Sequence, residues 1–300
     1  MKKLNLAVSL VTDGNDYQRE QARDATQAAE RLGADVKIIY ADNDAIQQSQ
    51  QLLNLIQAPP ASRPDAIICH PVGTGLQQVA QAAVSAGIGW AIVNRNVDYL
   101  SSLRASSKVA IFCIAIDQEE TGRIQARQMA ALLPQGGMVL YIQGSSGNYS
   151  AEERTKGAQA AKPANVQLRM MRGRFTEESG YEVVKSWMRL STSRQTQIDL
   201  VCAQNDNMAL GARRAFGEEG GRWATLQFIG CDAIGESGRD RIRKRILAAS
   251  IALPLTAGLA VETFARAHQT GTPPPEYTVL KPASFPPEKD LAVVRSAAQL

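Results

Sequence analysis

Short apolar runs alternate along this chain with longer stretches of helical period. That alternation limits the fold more than any other feature. Strands are expected at 4–10, 35–40, 65–69, 90–93 and 108–114, and again at 137–142, 166–171, 200–203, 226–230 and 248–252. Helical period fills 18–32, 76–86, 119–133, 152–161, 179–189 and 208–218. Apolar strands separated by helices of about ten residues or more predict βαβ units and parallel sheets covered on both faces. Right-handed crossovers then fix the winding.

The pattern occurs twice. "LAVSLVTDGNDYQREQ" and "GMVLYIQGSSGNYSAEE" each run from strand through a polar Gly-Asn loop into helix. A second strand follows each, in "DVKIIYADND" and "VQLRMMRGRFT", and then a third, in "DAIICHP" and "DLVCAQND". The chain is therefore read as α/β with two similar lobes, 1–112 plus 253–280 and 113–252 plus 281–300. The late Pro-rich stretch "GTPPPEYTVLKPASFPPE" is read as a connection between them. Several crossovers of this kind can act as a hinge.

Composition removes whole classes of function. The hydrophobic share of 44% and charged share of 21% are those of a globular chain, and no apolar run is long enough to span a bilayer. The net charge of +4 is mild. The basic run "GRDRIRKRI" has no aromatic residues interleaved for base stacking and reads as a solvated helix face, so no nucleic-acid partner is expected. Cys69, Cys113, Cys202 and Cys231 each sit in an apolar run without zinc spacing and are read as buried free thiols. No metal or cofactor is expected. "GTG" lacks the third glycine of a dinucleotide fingerprint and "GSSGNYS" lacks the lysine of a P-loop. Of the two histidines, His268 reads as a surface residue. His70 follows Cys69 directly, and adjacent strand residues point to opposite faces, which disfavours a Cys–His dyad. Asp206 and Asp232 could pair as acid and base, but neither has a signature around it. An enzyme is not expected.

Ligands of open parallel sheets bind beyond the carboxyl ends of the strands. In this chain those positions hold Asn15, Asp16 and Tyr17; His70; Asn94 and Arg95; Asp117; Asn148 and Tyr149; Phe175; Asn205 and Asp206; and Asp232. Any one of them could simply cap a helix or make a turn. Together they form a set of bidentate donors and acceptors with aromatic faces. Carboxylates accept, guanidinium donates in a planar fork and carboxamides do both, which suits a polyhydroxyl ligand. Within "AQNDN", Asp206 and Asn207 are read as the cap of the helix from Met208, and Asn205 as the residue whose amide reads ligand hydroxyls.

The segments "FCIAIDQEETGRIQARQMA", "EERTKGAQAA", "VCAQNDNMALGARRAF" and "FIGCDAIGESG" resemble the type I periplasmic sugar-binding proteins, a domain shared with the effector modules of LacI-type repressors. The resemblance runs through essentially the whole chain. It implies two flavodoxin-like lobes joined by three crossovers, with a monosaccharide held in the cleft and delivered to the permease of an ABC importer. It also implies that Arg95, Arg154, Phe175, Asn205 and Asp232 hold the ring hydroxyls; the strand-end positions add Asn15, Asp16, Tyr17, Asn94 and Asn148 to the expected ligand-binding set, with His70 a further candidate. The chain departs from the family pattern in three places. Asn94 stands for an aspartate, Ala252 for a glutamine, and the first loop, "DGNDYQRE", has one tyrosine where aromatic residues are usual. A hexose, cyclitol or sugar derivative is therefore expected at least as much as a pentose. The chain is expected to act as a monomer in the periplasm or elsewhere outside the cytoplasm. A LacI-type regulator or signalling receptor, working as a cytoplasmic sensor, is the alternative. A repressor would carry a DNA-binding module ahead of the first strand, which begins here at Leu4.

Overall fold

The computed structural model describes residues 3–194 and 196–291. The chain divides into two compact units, Met1–Ile116 with Pro254–Leu280, and Asp117–Leu253 with the segment from Lys281 onward. It therefore passes between units at 116–117, 253–254 and 280–281.

The first unit opens with β1 (Asn5–Leu10), α1 (Asp16–Leu32), β2 (Asp35–Tyr40), α2 (Ala45–Gln57), β3 (Ala66–Cys69), α3 (Gln77–Ser85), β4 (Gly89–Asn94), α4 (Leu100–Ala105) and β5 (Ile111–Ile116). The second holds α5 (Gln118–Leu132), β6 (Gly137–Gln143), α6 (Tyr149–Ala161), β7 (Val166–Arg172), α7 (Glu177–Met188), β8 (Leu200–Ala203), α8 (Asp206–Glu219), β9 (Gln227–Ile229), α9 (Gly235–Arg243) and β10 (Ser250–Ala252). The chain returns to the first unit as α10 (Ala257–Thr270) and β11 (Tyr277–Leu280), then adds β12 (Ala283–Phe285) to the second.

The first unit's sheet has the order β11-β5-β4-β3-β1-β2, with every pairing parallel. The second unit's main sheet, β7-β6-β8-β9, is also parallel, and β10 pairs antiparallel with β12. Both main sheets are flavodoxin-like. The order reverses between β1 and β3 in one and between β6 and β8 in the other, and such switch points are where open α/β sheets bind ligands.

Strand period 2 splits each core in two. Leu6, Val8 and Leu10 pack with Ala25 and Ala28 of α1 and with Val261 and Phe264 of α10, while Ala7 joins Leu52 of α2 and Val79 of α3 on the opposite face. In the second unit Leu140 and Ile142 pack with Trp187 and Phe216, and Val139 and Tyr141 with Met129 and Ala158.

The late Pro-rich stretch is not merely a connection. It contains β11 and β12, each of three or four residues. β11 is a four-residue edge strand with alternating exposure, bracketed by Pro275 and Pro282, which read as punctuation of a connection.

Glycine governs the closest helix contacts. A Cβ on Gly122 of α5 would lie 2.0 Å from Arg154 O, and one on Gly157 of α6 would lie 2.0 Å from Glu119 O. The two backbones touch, and the contact point is Arg154 itself. Gly180 and Gly211 serve the same purpose between α7 and α8, where added Cβ atoms would lie 2.3 Å from Met208 O and 1.9 Å from Glu177 O. Gly157→Ala should push α6 away from α5 at an overpacking cost of roughly 1–3 kcal/mol or more, read as a lowered thermal midpoint. An unchanged midpoint would show that the helices are not held this close.

Candidate functional site

In the first unit, the polar strand-end residues meet at the switch point. Asn15 is the N-cap of α1, its side chain accepting from Gln18 N–H at 3.0 Å. Asp16 opens the helix and pairs with Arg19. Tyr17 is buried at 6% exposure, with its hydroxyl 3.1 Å from Asn94 Oδ1 and 3.3 Å from Pro254 O. Asn94 ends β4 with φ 72°, and its Nδ2 lies 2.9 Å from His70 Nε2. His70 follows β3, its Nδ1 lies 3.0 Å from Gln18 Nε2, and its carbonyl accepts from Gln48 Nε2 at 2.9 Å. The structure thus joins Tyr17, His70 and Asn94 in one buried network, with Arg95 next in the chain.

The second unit gathers its own set. Asn148 caps α6 by accepting from Ala151 N–H at 3.1 Å. Arg154, one turn further on, is 4% exposed. Its Nε donates to Gln118 Oε1 at 2.8 Å and its Nη1 donates to Gln204 O. Both acceptors are neutral, and the two bonds occupy two of its five N–H donors. Phe175 lies against Gly144, where an added Cβ would come within 1.9 Å of the ring. Asp232, 5% exposed, is tied by its own backbone, its N–H donating to Ile251 O and its C=O accepting from Leu253 N–H. Asp117 caps α5 through Glu120 N–H.

The "QNDN" segment differs from expectation. The N-cap of α8 is Asn205, whose Oδ1 accepts from Met208 N–H at 2.9 Å, and not Asp206 or Asn207. Its Nδ2 donates to Phe175 O at 2.8 Å, so both ends of the amide already have protein partners. Asp206 is the first helical residue, and its carboxylate accepts from Ala233 N–H at 3.0 Å and Ser250 Oγ at 2.6 Å. Three candidate caps in a row look alike in sequence. Those tertiary partners for Asp206, and the Phe175 carbonyl for Asn205, decide among them.

Three of the candidates, Asn94 (φ 72°), Phe175 (φ 62°) and Asp232 (φ 127°), adopt positive φ. A non-glycine residue there costs on the order of 1–3 kcal/mol and persists only where its surroundings over-determine it. Asn94 is the last residue of β4, and Phe175 and Asp232 follow the ends of β7 and β9, while Asp42, Asn43, Ala233 and Arg245 adopt positive φ outside the candidate set.

The sequence reading missed the supporting glutamines. Gln204 is fully buried; its Oε1 accepts from Gly144 N–H, its Nε2 donates to Ala151 O and lies within bonding distance of Tyr141 Oη and Thr155 Oγ1, and its carbonyl receives Arg154. Gln18 and Gln48 support His70, and Gln118 supports Arg154. The available signal was a glutamine beside a strand end, as in "IDQ" and "AQND".

The four cysteines are buried and free. Burial pushes the Cys69 and Cys113 thiols up to about 12, and those of Cys202 and Cys231 up as well. Among the described residues no group of His, Cys, Asp and Glu could hold a metal ion, and no helix is long and apolar enough to cross a membrane.

Two doubly wound units, each with buried polar groups gathered at its switch point, define a binding protein of the α/β class. A family model described as a periplasmic binding protein domain matches residues 6–255, and the chain belongs to that family. A Rhizobium meliloti protein named for rhizopine binding is 29% identical over 215 residues, which make up 68% of this chain; the chain spans 64% of that relative. The galactofuranose-binding protein of Escherichia coli is 25% identical over 291 residues, 95% of this chain and 88% of its own length. The solved structure of the Caulobacter myo-inositol binding protein bound to myo-inositol superposes with a TM-score of 0.80 at 23% identity, covering 99% of this chain and 97% of that one.

Two outcomes are expected. Gln204→Leu should destabilise the fold by roughly 2–4 kcal/mol in denaturant unfolding, because it strands Gly144 N–H and other buried groups. A loss below about 0.5 kcal/mol would count against the hub. An aromatic disulfide reagent at neutral pH should label no cysteine until denaturant is added, since the thiolate is the reactive form. Rapid native labelling would contradict the burial described.

Proposed function

We propose that this chain is the solute-binding component of an ABC importer, capturing a small polyhydroxyl ligand outside the cytoplasm and working as a monomer. Family membership and relatives named for galactofuranose, rhizopine and ribose binding support the reading. Within the chain, the observation that carries it is the gathering of buried polar groups at the strand ends of each unit, Tyr17, His70 and Asn94 in one and Arg154, Asn205 and Asp232 in the other.

On this reading one ligand is read by residues of both units: Asn15, Asp16, Tyr17, Asn94 and Arg95 from the first, and Asn148, Arg154, Phe175, Asn205 and Asp232 from the second. Arg154 supplies N–H donors to ligand oxygens, Asp232 accepts from hydroxyls, and Phe175 offers a flat apolar face to ring C–H groups. Asn94 adds a donor and an acceptor together, which favours a hexose, a cyclitol or a sugar derivative.

The test is a thermal-shift screen against sugars, cyclitols, nucleosides and amino acids. A ligand at a hundred times its dissociation constant stabilises the fold by about 2.7 kcal/mol. That should raise the midpoint by roughly 4 °C in a chain of this size. A shift with an amino acid or nucleoside and none with any polyol would contradict the proposed ligand class.

A further inference from the structure

Asp232 and Ala233 are consecutive non-glycine residues at positive φ, 127° and 39°, in the loop after β9. Such a pair persists only where its surroundings over-determine it. The holding contacts come from three parts of the second unit. The β10 segment supplies one side: Asp232 N–H donates to Ile251 O at 2.9 Å, and Leu253 N–H donates to Asp232 O at 3.2 Å. α9 supplies another, since a Cβ on Gly238 would lie 2.7 Å from the carbonyl carbon of Ala233.

Asp206, the first residue of α8, supplies the third side and brackets Asp232. Its N–H donates to Cys231 O at 2.7 Å, and its Oδ2 accepts from Ala233 N–H at 3.0 Å. The residues just before and just after Asp232 are thus held by one and the same residue. Asp206 Oδ1 accepts from Ser250 Oγ at 2.6 Å, which ties α8 to β10. Hydrogen bonds therefore close a ring from Asp206 through residues 231–233 to β10 and back through Ser250. Gly230 admits the helix, because an added Cβ there would lie 2.1 Å from Asp206 Oδ1. Asp206 is 2% exposed, and bonds from a carboxylate to N–H and O–H donors are stronger than those of a neutral acceptor.

We propose that Asp206 is a positioning residue that holds Asp232 at positive φ and so sets where the Asp232 carboxylate stands to accept from ligand hydroxyls. This rests on the reading above that Asp232 meets the ligand. Asp206 acts through the main chain on either side of Asp232. A binding group must be held within roughly 0.5 Å of its productive place, so freeing that main chain costs affinity even with Asp232 intact.

The clamp is tested without ligand by amide hydrogen exchange. The Asp232 and Ala233 amides of the unmodified protein should be protected. Asp206→Ala should speed their exchange by about tenfold or more beyond any change at Leu140 and Ile142 of β6. Unprotected amides in the unmodified protein, or equal changes in the loop and in β6, would overturn the clamp. The positioning role is tested by titrating myo-inositol and D-galactose. Asp206→Ala should weaken the bound compound about tenfold, and adding it to Asp232→Ala should weaken binding no further. Independent losses from the two substitutions would overturn the positioning role. If Asp206→Ala does not fold, Ser250→Ala, which removes one donor to the carboxylate, carries both comparisons with changes in the same direction. If the unmodified protein binds neither compound, the functional reading is at fault, and exchange still decides the clamp.

Discussion

A polar group buried at a strand end must find its hydrogen bonds within the protein or leave a costly orphan. The candidate site depends on how that demand is met. Parallel sheets deliver strand ends to one edge, and the chain places carboxamides, carboxylates and guanidinium groups there. Glutamines from the adjoining helices and strands then hold them. Gln118 and Gln204 fix Arg154, while Gln18 and Gln48 fix His70, which is in contact with Asn94. Glutamine suits this task because it donates and accepts without adding charge to a buried site. Among the described residues, the side-chain hydrogen bonds of Arg154 go to neutral acceptors.

Helix packing sets the same groups from the other side. Gly122 and Gly157 bring α5 and α6 into backbone contact at Arg154, and α5 also begins with the Gln118 that receives the guanidinium. A bulkier residue at either glycine would move the arginine and its acceptor apart together. Helix packing and the position of Arg154 are therefore coupled through one helix pair.

Much of the fold was legible because the central parallel strands, buried on both faces, read as continuous apolar runs. β2 and β8 coincide with the expected segments, and the other expected strands shift by up to three residues at their ends. β11 and β12 were not legible because short edge strands bracketed by prolines lack that signal. The family resemblance was carried by particular segments, and the matching family model agrees with it. The finer roles were not legible. "QNDN" offers three caps, and only the positions of Phe175, Ala233 and Ser250, distant in sequence, assign Asn205 to the cap and Asp206 to the interior. Asn15, Asn148 and Asn205 all prove to be N-caps, so a residue proposed to bind ligand also begins a helix. Each places a helix N-terminus, with its inward-pointing N–H groups, at the carboxyl edge of its sheet.

Strand-end residues of both units are proposed to serve a single polyol. Calorimetric titration of Asn94→Ala, from the first unit, and Arg154→Ala, from the second, with the polyol that the unmodified protein binds tests it most directly. The account predicts one ligand per chain, and a loss of roughly 2 kcal/mol or more in each variant for that same compound, since each truncation leaves buried partners unpaired. Wild-type affinity in either variant, or two ligands per chain, would contradict it.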